Sequence, residues 1–220
     1  MNRILKSGGT PLFAALVLLF GWGGTAKAQT VQDTVNKVKD IAARGDRAGY
    51  VYSPQLLRHW LGASGNQVIL PTSAFAGQDF FLKHLALTHR NNFVAYATNY
   101  VRQGTLVPGR PRVMTWINSV RGQGDLFYAL GDFTVFSQVQ VSVTCVNATQ
   151  YRLDFNAWQS SIMDRYDWDP NKTYVLPPFI LTGREMIAVE AAGRAKPFSV
   201  GSGLATIAAP SVVGSVVIRP

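Results

Sequence analysis

Between Gln138 and Cys145 the residues alternate without a break, with Gln138, Gln140, Ser142 and Thr144 polar and Val139, Val141, Val143 and Cys145 apolar. Side chains on a strand point to opposite faces in turn, so this stretch needs one dry face and one wet face. Asn147-Ala148-Thr149 interrupts the pattern. Tyr151, Leu153, Phe155 and Ala157 then alternate with Arg152, Asp154 and Asn156. Two such runs joined by a turn predict an antiparallel hairpin with a single buried face. That excludes an all-helical fold and leaves a dry surface that other elements must cover. Cys145, in step with the valines, is expected to be buried filler on that face.

The covering elements are helical and lie earlier. Gln29 to Arg47 places Val31, Val35, Val38 and Ile41 at helical spacing, and Gly45 marks its end. Ser53-Pro54 reads as N-cap and first residue of a second helix carrying Leu56, Leu57, Trp60 and Leu61. Val68 to Leu70 is a short extended piece. From Gly77 to Tyr100 the chain is dense in Phe and Tyr, with a helix expected to about Thr88 and a break at Asn91-Asn92. The period changes to alternating at Val113 to Ile117, and Arg121-Gly122-Gln123-Gly124 reads as a tight turn. Thr182-Gly183-Arg184-Glu185 is a capping box opening a late helix that ends at Gly193. The fold class is therefore α+β, one domain in which a helical N-terminal half packs on a small, mostly antiparallel β-sheet.

Arg3 and Lys6, the apolar run Leu12 to Phe20 and Ala26-Lys27-Ala28 have the three parts of a secretory signal peptide. The expected organisation is a signal peptide at residues 1–28, an amphipathic helix at 29–49, an α+β domain at 50–203 and a small-residue tail or edge strand at 204–220. The apolar run is shorter than the ~20 residues that span a bilayer, so no transmembrane anchor is expected after cleavage. The product would be periplasmic or secreted. Loss of Arg3, Lys6 and Lys27 would lower the net charge from +9 to +6. That excess suits an anionic cell-envelope ligand, and the absence of a Lys/Arg block argues against nucleic acid. With Cys145 the only cysteine, an exported chain would rely on packing and not on an internal disulfide.

Chemistry-bearing residues gather in one place, Asp164-Arg165-Tyr166-Asp167-Trp168-Asp169 with Lys172, directly after the second strand. Asp167 to Asn171 opens like a calcium loop, but Lys172 stands where the EF-hand needs Gly, and Pro178 where it needs Glu. A looser divalent site with Asp164, Asp167 and Asp169 converging stays open beside a purely structural turn. His84 and His89 lie five apart with no Glu between them, where zinc-binding helices use a spacing of four, so they are expected to diverge. No nucleophile elbow and no phosphate-binding glycine pattern occurs.

Asp164-Arg165-Tyr166-Asp167 resembles the D-x-Y-D core of the colicin M family of bacteriocins, which cleave the undecaprenyl–pyrophosphate linkage of lipid II. The longer order also resembles C-terminal modules of secreted bacterial toxin-like proteins. It runs from Gly131-Asp132-Phe133 through the alternating strand pair and the Asp cluster to a helix ending in Gly193-Arg194-Ala195-Lys196-Pro197-Phe198, and spans Leu126 to Gly203. The resemblance implies catalytic roles for Asp164, Tyr166 and Asp167 and substrate binding by Arg165, Trp168 and Lys172. It also implies Mg2+ on Asp167 and Asp169, and an immunity protein in the producer. The family carries a His-Arg pair six and seven residues after the motif, where this chain has Thr173 and Tyr174. Arg165, Lys172 or the distant His89-Arg90 are the groups left for that work. The alternative is a non-catalytic secreted or periplasmic module that binds through the acidic-aromatic loop.

Overall fold

A computed structural model describes residues 30–176 and 178–220, and the expected signal peptide lies outside them. Helix α1 (Val31–Arg47) is opened by a Thr30/Asp33 capping box and buries Thr34, Val35, Val38 and Ala42 along one stripe. Helix α2 (Tyr52–Leu61) begins before the expected Ser53-Pro54 start. Its cap comes from elsewhere in the chain. The Asp125 carboxylate accepts the backbone N–H groups of Val51 at 2.7 Å, Tyr52 at 2.7 Å and Ser53 at 2.9 Å. A borrowed carboxylate leaves Ser53 free to be buried inside the first turn.

The expected break at Asn91-Asn92 does not occur. Helix α3 (Asp79–His84) runs through a π turn (Leu85–His89) straight into α4 (Arg90–Arg102). The Asn91 and Asn92 side-chain amides donate back to the Leu87 and Thr88 carbonyls at 2.8 and 2.7 Å, which lets both residues sit inside a helix. The π turn also reverses the reading of the histidines. The wider π turn, with its i to i+5 step, brings residues five apart toward one side, and the His84 and His89 rings meet edge to face with centroids 5.1 Å apart.

The sheet is built on β4 (Gln150–Tyr166). One edge pairs antiparallel with β3 (Asp132–Asn147), which pairs in turn with β2 (Arg112–Arg121). The other edge takes three short antiparallel strands in succession: β9 (Gly214–Ile218) on Tyr151 to Phe155, β8 (Ala205–Thr206) on Gln159 and Ser160, and β7 (Phe198–Ser202) on Met163 to Tyr166. Strand β1 (Val68–Leu70) adds to β7 as the one parallel pair among the described residues. The fold class is α+β with a mostly antiparallel sheet and mainly N-terminal helices. Gly122 and Gly131 close the base of a β2–β3 excursion with a 2.7 Å hydrogen bond. Between them lies α5 (Gly124–Leu130) and not a tight turn.

The hairpin holds, but its parity does not run straight. Leu153 and Phe155 are buried, whereas Ala157 is exposed with φ of 48°. The register slips here, from Gln140 opposite Asn156 to Gln138 opposite Gln159. Beyond this bulge the inward set becomes Trp158, Ser160, Ile162 and Tyr166. Cys145 is also exposed, donating its thiol hydrogen to the Asn147 carbonyl at 3.2 Å, because the end of β3 leaves the core at the turn. The core face carries Trp158, Phe133 and Phe155, closed by Phe93, Trp60 and Phe81 of the helices, all essentially inaccessible to water. Each stabilises the fold by roughly 2–3 kcal/mol through burial.

Candidate active site

The bulge decides how the acidic motif is presented. With parity shifted, Asp164 falls on the inward row of β4 between Ile162 and Tyr166, and Arg165 faces out. Asp164 pairs in register with Val200 of β7, itself buried. A carboxyl in an apolar row is hard to ionise. Burial pushes the Asp164 pKa up to about 7, and the negative charges of Asp167 and Asp132 add to it against a backbone hydrogen bond from Arg165. Asp164 is thus poised to hold a proton near neutral pH.

Asp167 follows the last residue of the strand and is exposed. Its carboxylate meets the Arg165 Nε at 3.2 Å, and both side chains are more than half exposed. Such a pair contributes little and exchanges readily for another partner. Asp169 accepts the backbone N–H of Asn171 at 2.9 Å and lies 4.0 Å from the Lys172 Nζ. The loop is seated on the start of α6 (Gly183–Ala191), whose expected capping box forms between Thr182 and Glu185. The Gly183 N–H donates to the Lys172 carbonyl at 2.8 Å. A Cβ on Gly183 would overlap the Asp169 carbonyl oxygen, so this close approach requires glycine.

The aromatics of the motif turn inward. Tyr166 stacks on Phe198 at 4.9 Å, and Trp168 meets Trp60, Tyr166 and Tyr174 edge to face at 5.6, 5.7 and 4.9 Å. Burial, with Tyr174 adding to it, raises the Tyr166 phenol well above its ordinary pKa, so it stays protonated. Trp168 is half-buried, with its indole Nε1 enclosed and unpartnered.

These residues line one cleft of about 540 Å³, walled by the end of β2, by α5, by the start of β3 and by β5 (Thr173–Leu176). Asp164, Arg165, Tyr166, Asp167, Trp168, Asp169 and Lys172 all reach it. Thr173 and Tyr174, at the positions of the family's His-Arg pair, line it too. His89 and Arg90 do not serve it. His89 is fully buried in the π turn, and Arg90 lies over Phe155 at 5.5 Å while donating to the Ser215 carbonyl. Two cleft residues escape a reading of the motif alone: Arg121 at the end of β2 and Asp132 at the start of β3. They stand opposite each other in the β2–β3 register, a pairing across eleven residues that only the α5 excursion makes visible. An apolar groove of about 200 Å³ between α1, α2 and Phe179 opens next to the cleft and shares Leu57, Tyr128 and Leu176 with it.

Among the described residues no three Asp, Glu, His or Cys side chains converge as a metal cage. Asp164, Asp167 and Asp169 share the cleft without forming one. No helix among the described residues is long and apolar enough to cross a membrane.

No family model and no curated protein matches the chain. Two solved structures align with most of it. One is PaeM, a colicin M-like bacteriocin produced by Pseudomonas aeruginosa, at 11% identity and TM-score 0.42, covering 77% of this chain and 51% of that one. The other is the truncated bacteriocin syringacin M from Pseudomonas syringae pv. tomato DC3000, at 12% identity and TM-score 0.37, covering 77% and 59%. The chain thus spans little more than half the length of either. Likeness at this level carries nothing about the site.

Proposed function

We propose that this protein is an exported, colicin M-like hydrolase that cleaves a polyprenyl–pyrophosphate linkage of a lipid II-type precursor. One observation carries the reading. A proton-holding carboxyl, Asp164, and an exposed carboxylate, Asp167, open onto one cleft together with three cations. A carboxyl whose burial favours the protonated form, beside a solvent-exposed one in the same cleft, is an arrangement that suits an acid and a base. In this reaction Asp167 accepts a proton from the attacking water as its oxygen bonds to the reacting centre. Asp164 gives its proton to the departing oxygen as the bond to it breaks, so that water is divided between the two products. Arg165 and Lys172 neutralise phosphate charge once the ligand draws them from Asp167 and Asp169. Tyr166, kept protonated, donates a hydrogen bond at the same wall. The adjoining apolar groove suits the hydrocarbon part of such a ligand.

Mg2+ fits only as an ion brought in with phosphate. Asp167 and Asp169 each lie against a cation, and a pair of carboxylates completed by phosphate oxygens and water is a common magnesium set. The ion would supply charge neutralisation on the phosphates. The alternative is a non-catalytic module that binds an envelope ligand through the same acidic-aromatic loop, where Trp168 is half-buried at the cleft wall. Export, an envelope site of action and an immunity protein in the producer belong to the same proposal.

The test is direct. Purified protein given lipid II, with and without Mg2+, should release the pyrophosphorylated disaccharide peptide, and Asp167→Ala should abolish release while melting like the parent. Absence of turnover in the parent, or full turnover by the variant, rejects the proposal.

A further inference from the structure

We infer that Arg121 is the phosphate receptor of the cleft, in place of the cation that the motif lacks; this rests on the hydrolase reading for its purpose but not for its chemistry. Three cations line the cleft. Arg165 is held by Asp167 at 3.2 Å and Lys172 stands 4.0 Å from Asp169. Arg121 has no carboxylate at ion-pair distance among the described residues, although Asp132 is its register neighbour. An incoming anion therefore meets Arg121 without first displacing an internal partner.

The side chain is also held in place. Its guanidinium lies over the Phe127 ring with the central carbon 4.9 Å from the centroid. A guanidinium on an aromatic face keeps its plane fixed and its N–H edge free, which suits bidentate contact with a phosphate. The support beneath it is built in from both sides. The Gly122 N–H to Gly131 carbonyl bond closes the base of the excursion, and Asp125 ties α5 to the first amides of α2. The receptor thus lines the same cleft as the acid and base but stands on β2, with β3 between it and the strand that carries Asp164. The ligand class is a phosphate or pyrophosphate monoester or diester, free or carried on a lipid.

Titration of the full chain with inorganic pyrophosphate, read by calorimetry, tests this without any turnover. Arg121→Gln should weaken binding about tenfold or more, since a hydrogen-bonded charge is lost, and Arg121→Lys should restore part of it. Arg165→Gln should weaken binding less than Arg121→Gln does, because the ligand must first draw that cation from Asp167. No binding by the parent, parent-like binding by Arg121→Gln with an unchanged melting profile, or a larger loss in Arg165→Gln each overturns the assignment. A parent that binds pyrophosphate through Arg121 but leaves lipid II intact keeps the receptor and rejects the hydrolase. Lipid II turnover with an unaltered KM in Arg121→Gln does the reverse.

Discussion

Asp164 owes its chemistry to one neighbour-by-neighbour fact, its place between Ile162 and Tyr166 on an inward row. Cleavage that uses it as the acid requires the protonated form, so the rate should fall as pH rises through about 7, the value to which burial lifts this group. Asp164→Asn should lose that limb and about 10²–10⁴ in kcat, measured as product release from lipid II across pH. A parent profile flat between pH 6 and 8 would remove Asp164 as the acid. Gly183 acts at the same scale through what it lacks. Gly183→Ala must push the Asp169 carbonyl away from α6 and should cost about 1–3 kcal/mol in urea unfolding. The displacement should also shift Trp168 fluorescence, since the loop carries that indole against Trp60.

At the scale of elements, the strand pair shows what was legible and what was not. Val139, Val141 and Val143 announce a buried face by alternation, and they are buried. Ala157 continues the same pattern in sequence yet lies outside, because a bulge is a backbone event that alanine does not advertise. From Trp158 onward the inward positions are the even-numbered ones, which is why Asp164 and not Arg165 is drawn into the core row. The site chemistry was legible as a cluster of residue types, and its electrostatics were hidden behind that one-residue slip. Borrowed contacts were hidden for a different reason. Asp125 caps α2 from 72 to 74 residues away, and Arg121 meets the motif only through strand register, neither of which leaves a local mark. The bulge makes a firm expectation. Ala157→Val, a β-branched residue at positive φ, should destabilise by about 1–2 kcal/mol, whereas Ala157→Gly should be neutral or slightly stabilising. Deletion of Ala157 should leave the fold intact, since removing the extra residue restores strict alternation with Trp158, Ile162 and Tyr166 still inward and Arg165 still outward. A deletion variant that loses the parental near-ultraviolet circular dichroism would contradict this account of the strand.

Across the whole molecule two buried titrations oppose each other. His89 is fully buried in the π turn with both ring nitrogens unpartnered, and burial first, then His84, lowers its pKa to about 4. A histidine near 6.5 when unfolded binds more protons in the unfolded chain throughout that interval, so its contribution to stability is lost as pH falls from about 6.5 to 4. His84, lowered by the same burial, has the same sign. Asp164 runs the other way. Its folded pKa of about 7 lies above the ordinary carboxyl value, so the folded state holds the extra proton and stability falls as pH rises from about 4 to 7. The two windows nearly coincide and pull in opposite directions, so the parent's stability should vary less across them than that of either single variant. The variants should uncover the components. Asp164→Asn should leave the histidines alone and lose stability steadily below pH 6.5. His89→Phe, which fills the same apolar space, should weaken the acid-side loss and leave stability falling toward pH 7. Urea unfolding at half-unit pH steps on the three proteins measures all of this, and parallel curves for parent and both variants would show that neither buried group titrates where its surroundings place it.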